Sequence, residues 1–222
     1  GARKAEGITV IIDVFRAFSV VCYLFNNGAN LVIPVGDVEQ AYRLKEKNSD
    51  YILIGERNGK KLPQCDYGNS PGEIEDIDFS KKTIVHTTSA GTQGLVNASG
   101  ADEIITGSFV NIKAVVDYIK TKSPDLVSLV AMGEGGQNKT EEDIFCAHYF
   151  KNLLLDEKPE PFINIRKKLK AGSGAKFFED SKEWFTKRDF ELCLKLNRFD
   201  FVIKAVSVNG AVDGDLMGLT RV

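Results

Sequence analysis

The stretch that decides the fold is Ile8-Thr9-Val10-Ile11-Ile12-Asp13. A short apolar run that ends on a carboxylate reads as a strand buried on both faces. Arg16 follows one helical turn later and opens an apolar helix over residues 16–27, stopped by Gly28. The same strand-then-helix unit repeats outward along the chain. Strands are expected at 31–35, 51–54, 83–88, 103–106 and 126–132. Helices are expected at 38–47, 91–98, 111–120 and 141–155. Asp37 fits the N-cap of the helix at 38–47, because its carboxylate accepts from free helical N–H groups. A long Gly/Pro-containing loop spans 55–72. The last third is less regular, with helices at 162–169 and 187–195 and a strand at 201–208.

Strands of this kind alternating with helices give an α/β fold, a mostly parallel sheet with helices on both faces, as a three-layer α/β/α sandwich. The 222 residues suit one domain spanning the whole chain. Two intertwined subdomains are the alternative, with a soft boundary at 157–161.

The bulk properties exclude other classes. The chain is 43% apolar and 27% charged, with a formal net charge of −2, and it has no dense basic face of the kind nucleic-acid binding requires. The cluster Arg166, Lys167, Lys168, Lys170 reads as a solvated helix face. No window reaches the ~18 apolar residues needed to span a membrane. Cys22, Cys65, Cys146 and Cys193 lie far apart with no CxxC pair, which argues against a disulfide framework or structural zinc. A cytoplasmic protein with free thiols is the expectation. Residues before Gly1 remain open, because the chain does not start with Met.

In parallel α/β sheets, ligands bind outside the carboxyl ends of the strands. The loops that follow the strands are therefore the candidate site. Asp13 is placed to act as a metal ligand or nucleophile, and Arg16 to fork onto a phosphate or sulfonate. A salt bridge pinning strand to helix is the plainer reading. Phe15 breaks the DxD pattern of haloacid dehalogenase-type phosphatases. Glu56 and Arg57 offer a metal or proton handle and an anion handle, or else a local ion pair. Asn69 and Ser70, before Pro71, are oxyanion donors or a helix cap. Thr87-Thr88-Ser89-Ala90-Gly91-Thr92 carries more hydroxyls than one cap needs, so it is expected to hold phosphate or sulfonate at a helix N-terminus. It is not a Walker A loop, since no Lys follows the glycine. Ser108 and Asn111 either cap the next helix or face the ligand. Glu141-Glu142-Asp143 follows Thr140, and Thr140 with Asp143 resembles a capping box; a carboxylate reaching Mg2+ is the alternative. His86, inside an apolar strand, reads as a core residue, and Cys146 as a buried, inert thiol. No G-x-S-x-G elbow exists.

The segments IDVFRA, GERNGKKLPQCDYGNSP, TTSAGT, GSFVN and EEDIFCA occur in the order and spacing of the 2-phosphosulfolactate phosphatase family, which the chain resembles over nearly its whole length. The tail DFELCLKLNRFDFV is similar as well. The resemblance implies an α/β/α fold and Mg2+-dependent hydrolysis of a phosphate monoester on a sulfonated lactate. It implies catalytic roles for Asp13, Arg16, Glu56 and Arg57. Substrate contacts would come from Asn69, Ser70, Thr87, Thr88, Ser89, Gly91, Thr92, Ser108 and Asn111. Asp13, Glu56 and Asp143 would hold Mg2+. The implied partner is a small anionic phosphorylated metabolite, and a homodimer is compatible with it. The pattern departs at Ala90, Gln93 and Phe18, where the family more often has Asn, Arg and Thr. A non-catalytic anion-binding protein is the alternative.

Overall fold

The computed structural model describes residues 1–208 and 216–222. The elements run β1 (Ile8–Ile12), α1 (Ala17–Asn26), β2 (Leu31–Pro34), α2 (Val38–Lys47), β3 (Ile52–Arg57), β4 (Lys60–Lys61), α3 (Pro71–Ile74), β5 (Thr83–Thr87) and α4 (Gly91–Asn97). Then follow β6 (Glu103–Gly107), α5 (Ile112–Lys122), β7 (Val127–Ala131), α6 (Glu141–Leu154), α7 (Phe162–Ala171), α8 (Lys187–Cys193), β8 (Ile203–Val208) and β9 (Leu216–Arg221). Every helix and strand expected from the sequence is present, with ends shifted by a few residues. The Asp37 cap forms as expected, with its Oδ1 accepting from Gln40 N at 2.7 Å.

One nine-stranded sheet has the order β4-β3-β5-β2-β9-β8-β6-β1-β7. It contains two parallel triplets, β3-β5-β2 and β6-β1-β7. The antiparallel pair β9-β8 joins them, so the sheet is parallel within each triplet and mixed as a whole. The chain starts in one triplet at β1, crosses to the other for β2, β3 and β5, and returns for β6 and β7. The sequence reading missed β9.

The central strands are buried at successive positions, with neighbouring residues packing on opposite faces, so helices cover both sides. Ile11, Val32 and Ile84 pack with Val20, Val21 and Leu24 of α1 and Leu95 of α4. From the other face, Val10 and Ile12 pack with Val115 and Ile119 of α5 and Phe150 of α6. Ile33 and Val85 pack with Ala41 and Leu44 of α2.

Strand β3 runs three residues further than expected. Asn58 and Gly59 both have positive φ, 54° and 82°, and pair Glu56 with Lys61 and Arg57 with Lys60 across a tight turn. Asn-Gly suits this turn because Gly, and to a lesser degree Asn, tolerates left-handed backbone. Glu56 and Arg57 are thus strand residues, with side chains fixed by the hairpin.

Candidate active site

The carboxyl ends of β1, β3 and β5, the loop after β7 and the start of α6 open onto one cleft of about 620 Å³. Asp13, Arg16, Glu56, Asn69, Thr88, Ser89 and Asp143, all nominated from sequence, line it. The segment between α7 and α8 closes the far side with Lys176, Lys182, Trp184 and Phe185.

Asp13 is buried where β1 meets α1, and its Oδ1 accepts from Ala17 N at 3.1 Å. Gly91 is required beside it, since a Cβ there would stand 3.0 Å from Asp13 Oδ2 and 2.9 Å from Ala17 Cβ. Asp143 accepts from Val14 N and from Gly133 N, each at 2.8 Å. This ties α6 to both neighbouring strand ends. Gly133 has φ +66°, and a Cβ would lie 2.0 Å from Asn138 O, so only glycine fits this turn. Glu56 accepts from Gly59 N at 2.7 Å, Ser89 N at 2.8 Å and Ser89 Oγ at 3.2 Å. It fastens the β3-β4 turn to the turn after β5. Glu142 is also buried, and its Oε2 has no hydrogen-bond partner among the described residues.

Burial and the neighbouring carboxylates oppose the ionisation of Asp13 and Asp143. Burial, above all, pushes Asp13 up to about 7, and the Glu56 and Glu142 charges push the same way, against the Ala17 N–H and Lys176. Asp143 is raised well above the carboxylate range by burial and by Asp13 and Glu142, despite its two backbone donors. Crowded, buried carboxylates are oxygen donors of the kind a hard cation takes.

A family model described as 2-phosphosulpholactate phosphatase matches residues 1–207. The chain belongs to the 2-phosphosulpholactate phosphatase family. Its relatives include proteins named probable 2-phosphosulfolactate phosphatase from three organisms. That of Caldicellulosiruptor saccharolyticus is 37% identical over 163 residues, 72% of this chain and 67% of its own. That of Caldanaerobacter subterraneus subsp. tengcongensis is 34% identical over 216 residues, 90% and 88% of the two chains. That of Bacillus subtilis is 28% identical over 218 residues, 97% and 92%.

Set against the family motifs, the nominated residues divide by what they touch. The Arg16 guanidinium donates to Asp189 Oδ2 at 2.8 Å, Trp184 O at 2.9 Å and Gly59 O at 3.0 Å. It is a buried pin between the strand ends and the closing segment. The plainer expectation, a salt bridge between Asp13 and Arg16 pinning strand to helix, does not form among the described residues, and the arginine pairs with Asp189 instead. Arg57 turns along the sheet edge and donates to Gly36 O, Thr87 Oγ1 and Glu56 O. Ser70 caps α3, accepting from Glu73 N, and donates to Asp189 Oδ1 at 2.6 Å. Ser108 and Asn111 form a reciprocal cap and are fully buried. Each hydroxyl of the turn 87–92 makes a bond within the chain: Thr87 to Arg57, Ser89 to Glu56, and Thr88 to Thr92. Thr87, Gly91, Thr92, Ser108, Asn111 and Arg57 support the cleft without lining it.

The Thr140–Asp143 capping box is absent. Asp143 is drawn to Val14 and Gly133, and Thr140 Oγ1 is left without a partner. His86 is buried, bonded to Asn69 Oδ1 at 3.1 Å and lowered to about 4 by burial, so its imidazole is neutral. Burial raises the Cys146 thiol, as an inert core residue requires.

Among the described residues, no three His, Cys, Asp or Glu side chains are arranged to cage a metal ion. Mg2+ rarely needs such a cage. It commonly takes one or two carboxylates, several waters and the substrate's own phosphate oxygens. Asp13 with Glu142 or Asp143 fits that pattern.

The sequence reading missed Lys176, Lys182, Trp184 and Phe185. They sit in an irregular stretch with no periodicity. The one signal there was Trp184, the chain's only tryptophan.

Proposed function

We propose that the protein hydrolyses the phosphate ester of 2-phosphosulfolactate with Mg2+. The observation that carries this reading is the pair Asp13 and Asp143, buried at the end of β1 and the start of α6 and raised above the carboxylate range, in a chain of this family. Buried carboxylates beside a phosphate repel it strongly wherever they ionise, because the site is desolvated. Asp13 with Glu142 or Asp143 would hold Mg2+, which when bound would supply the charge that compensates the phosphate.

The chain's own residues do the rest. Two backbone N–H groups fix both oxygens of Asp143, and Ala17 N–H fixes one oxygen of Asp13, so neither carboxylate reorients when substrate enters. Such preorganisation is the main source of catalysis in phosphoryl transfer. Glu56 holds the turns carrying Gly59 and Ser89 in place on one wall. Trp184 and Phe185 narrow the far side and limit water in the cleft.

Protein with Mg2+ releases inorganic phosphate from 2-phosphosulfolactate, and EDTA stops it. Asp13→Asn lowers kcat/KM by about 10³-fold or more, the size expected when a charge-positioning group is removed. Full turnover in EDTA removes the metal role. A rise in melting temperature on adding the substrate, with no phosphate released by fresh protein, marks a binding protein without hydrolysis.

A further inference from the structure

The cleft is asymmetric in charge, and the asymmetry singles out one lysine. Its acids, Asp13, Glu56, Glu134, Glu142 and Asp143, gather at the strand ends, the loop after β7 and α6. Its cations, Arg16, Lys176 and Lys182, lie on or toward the closing segment. Two of the three are neutralised. Arg16 is bound to Asp189 in a buried ion pair, and Lys182 Nζ lies 2.8 Å from Glu179 Oε2. Lys176 has no carboxylate within ion-pair distance among the described residues; its ammonium stands 5.0 Å from the Phe185 ring centre and 5.8 Å from that of Phe177. It is near enough to Asp13 to act on its acidity.

We propose that Lys176 binds the sulfonate of the substrate, rather than its carboxylate, and sets specificity for a sulfonated over a plain 2-phosphorylated hydroxy acid. This rests on the phosphatase reading above. An ammonium on a flexible stem is a compact point charge with three rotatable donors, so it can meet a sulfonate oxygen without a fixed approach direction. Both arginines near the strand ends are engaged within the chain. The rings of Phe177 and Phe185 hold the ammonium by its attraction to their faces and leave it a donor to an incoming anion. Phe185 also packs its ring under the Arg16 guanidinium at 4.9 Å, so the lysine's support is anchored to the strand ends. Phosphate at the acidic wall and sulfonate at Lys176 would fix the substrate at both ends.

Two substrates separate the effect: 2-phosphosulfolactate and 2-phospholactate, which lacks only the sulfonate. Lys176→Met lowers kcat/KM on the sulfonated ester at least ten-fold more than on 2-phospholactate, mainly through KM. Lys176→Arg keeps most of the preference. Equal losses on both esters, or none on either, overturn the proposal. A binding measurement stands apart from turnover. Titration of 3-sulfolactate into the wild type gives a calorimetric signal that Lys176→Met weakens at least ten-fold, with lactate as the reference. If neither ester turns over, the phosphatase reading fails, and this titration still decides the lysine. Unweakened sulfolactate binding in Lys176→Met overturns its role.

Discussion

The two walls of the cleft are built by different rules. One wall is made at the ends of β1, β3 and β5 and the start of α6, and its carboxylates are held by backbone N–H groups: Ala17 for Asp13, Val14 and Gly133 for Asp143, Gly59 and Ser89 for Glu56. The other wall, between α7 and α8, is held by rings and by one arginine. Phe177 packs on Phe15, Phe185 and Phe190, and Arg16 bonds Trp184 O and Asp189. Backbone donors persist under substitution, but each needs its carboxylate acceptor, so the acidic wall keeps its geometry only while Asp13, Glu56 and Asp143 are kept. The aromatic wall depends on every side chain in it and is where sequences can alter selectivity without disturbing the acids. On the proposed function, the first wall positions charge and the second chooses the substrate.

The sharpest way to break this comparison is at the pin between the walls. Arg16→Met leaves Asp189 fully buried with its charge answered only by Ser70 Oγ and Gly72 N, at 2.6 and 2.9 Å. Removing one member of a buried ion pair typically costs about 3–5 kcal/mol. Urea unfolding of Arg16→Met is expected to show a loss of that size, and Arg16→Met with Asp189→Leu to recover most of it. A loss below about 1 kcal/mol for the single variant would mean the arginine is not the pin, and its anion-binding role from the sequence would stand alone.

A smaller effect tests the acidic wall itself. Glu56→Gln keeps the shape, and its carbonyl can still accept from Ser89 N. Its amide nitrogen then faces Gly59 N–H, a donor against a donor, where the carboxylate accepted at 2.7 Å. An unpaired buried donor costs about 1–3 kcal/mol. The unfolding free energy should fall within that range, with Ser89→Ala costing less. Equal stability for Glu56→Gln and wild type would show that the turns are held by other contacts.

These contrasts also explain what could be read from the chain alone. Residues 8–13 announced the strand because its apolar run is buried on both faces, and the loop logic then led to Asp13, Glu56, Ser89 and Asp143. The parallel triplets were legible for the same reason. Side-chain direction was not. Nothing in Gly55-Glu56-Arg57 states that the strand continues to the Asn58-Gly59 turn, although Asn-Gly is itself a hairpin signal, and that turn is what sends Glu56 toward the cleft and Arg57 to Gly36. The hydroxyls of 87–92 looked redundant because their partners, Arg57 and Glu56, lie 30 to 33 residues away. The aromatic wall was illegible, since ring packing among Phe15, Phe177, Phe185 and Phe190 leaves no period in the sequence. Strand β9 was overlooked with it.

The least of the expected effects asks whether the acidic wall is strained by its own charge. Asp13 has a folded pKa of about 7 against 3.8 for the ordinary carboxyl, raised chiefly by burial. A raised folded pKa means that the native state binds the proton more tightly than the unfolded chain. The contribution is therefore fully present below about pH 4 and is lost as pH rises toward and through 7. In metal-free protein, Asp13→Asn cannot ionise, yet its Oδ1 still accepts from Ala17 N. The variant should thus melt higher than the wild type at pH 8, by about 2–8 °C if ~1–2 kcal/mol of the strain is realised. The gap should shrink steadily toward pH 5. Adding Mg2+ at pH 8 should raise the wild type and leave the variant nearly where it was, because the ion relieves a charge the variant no longer carries. A melting difference that does not change with pH would place the strain elsewhere among Glu56, Glu142 and Asp143, and would separate Asp13 from the cation-holding role given to it here.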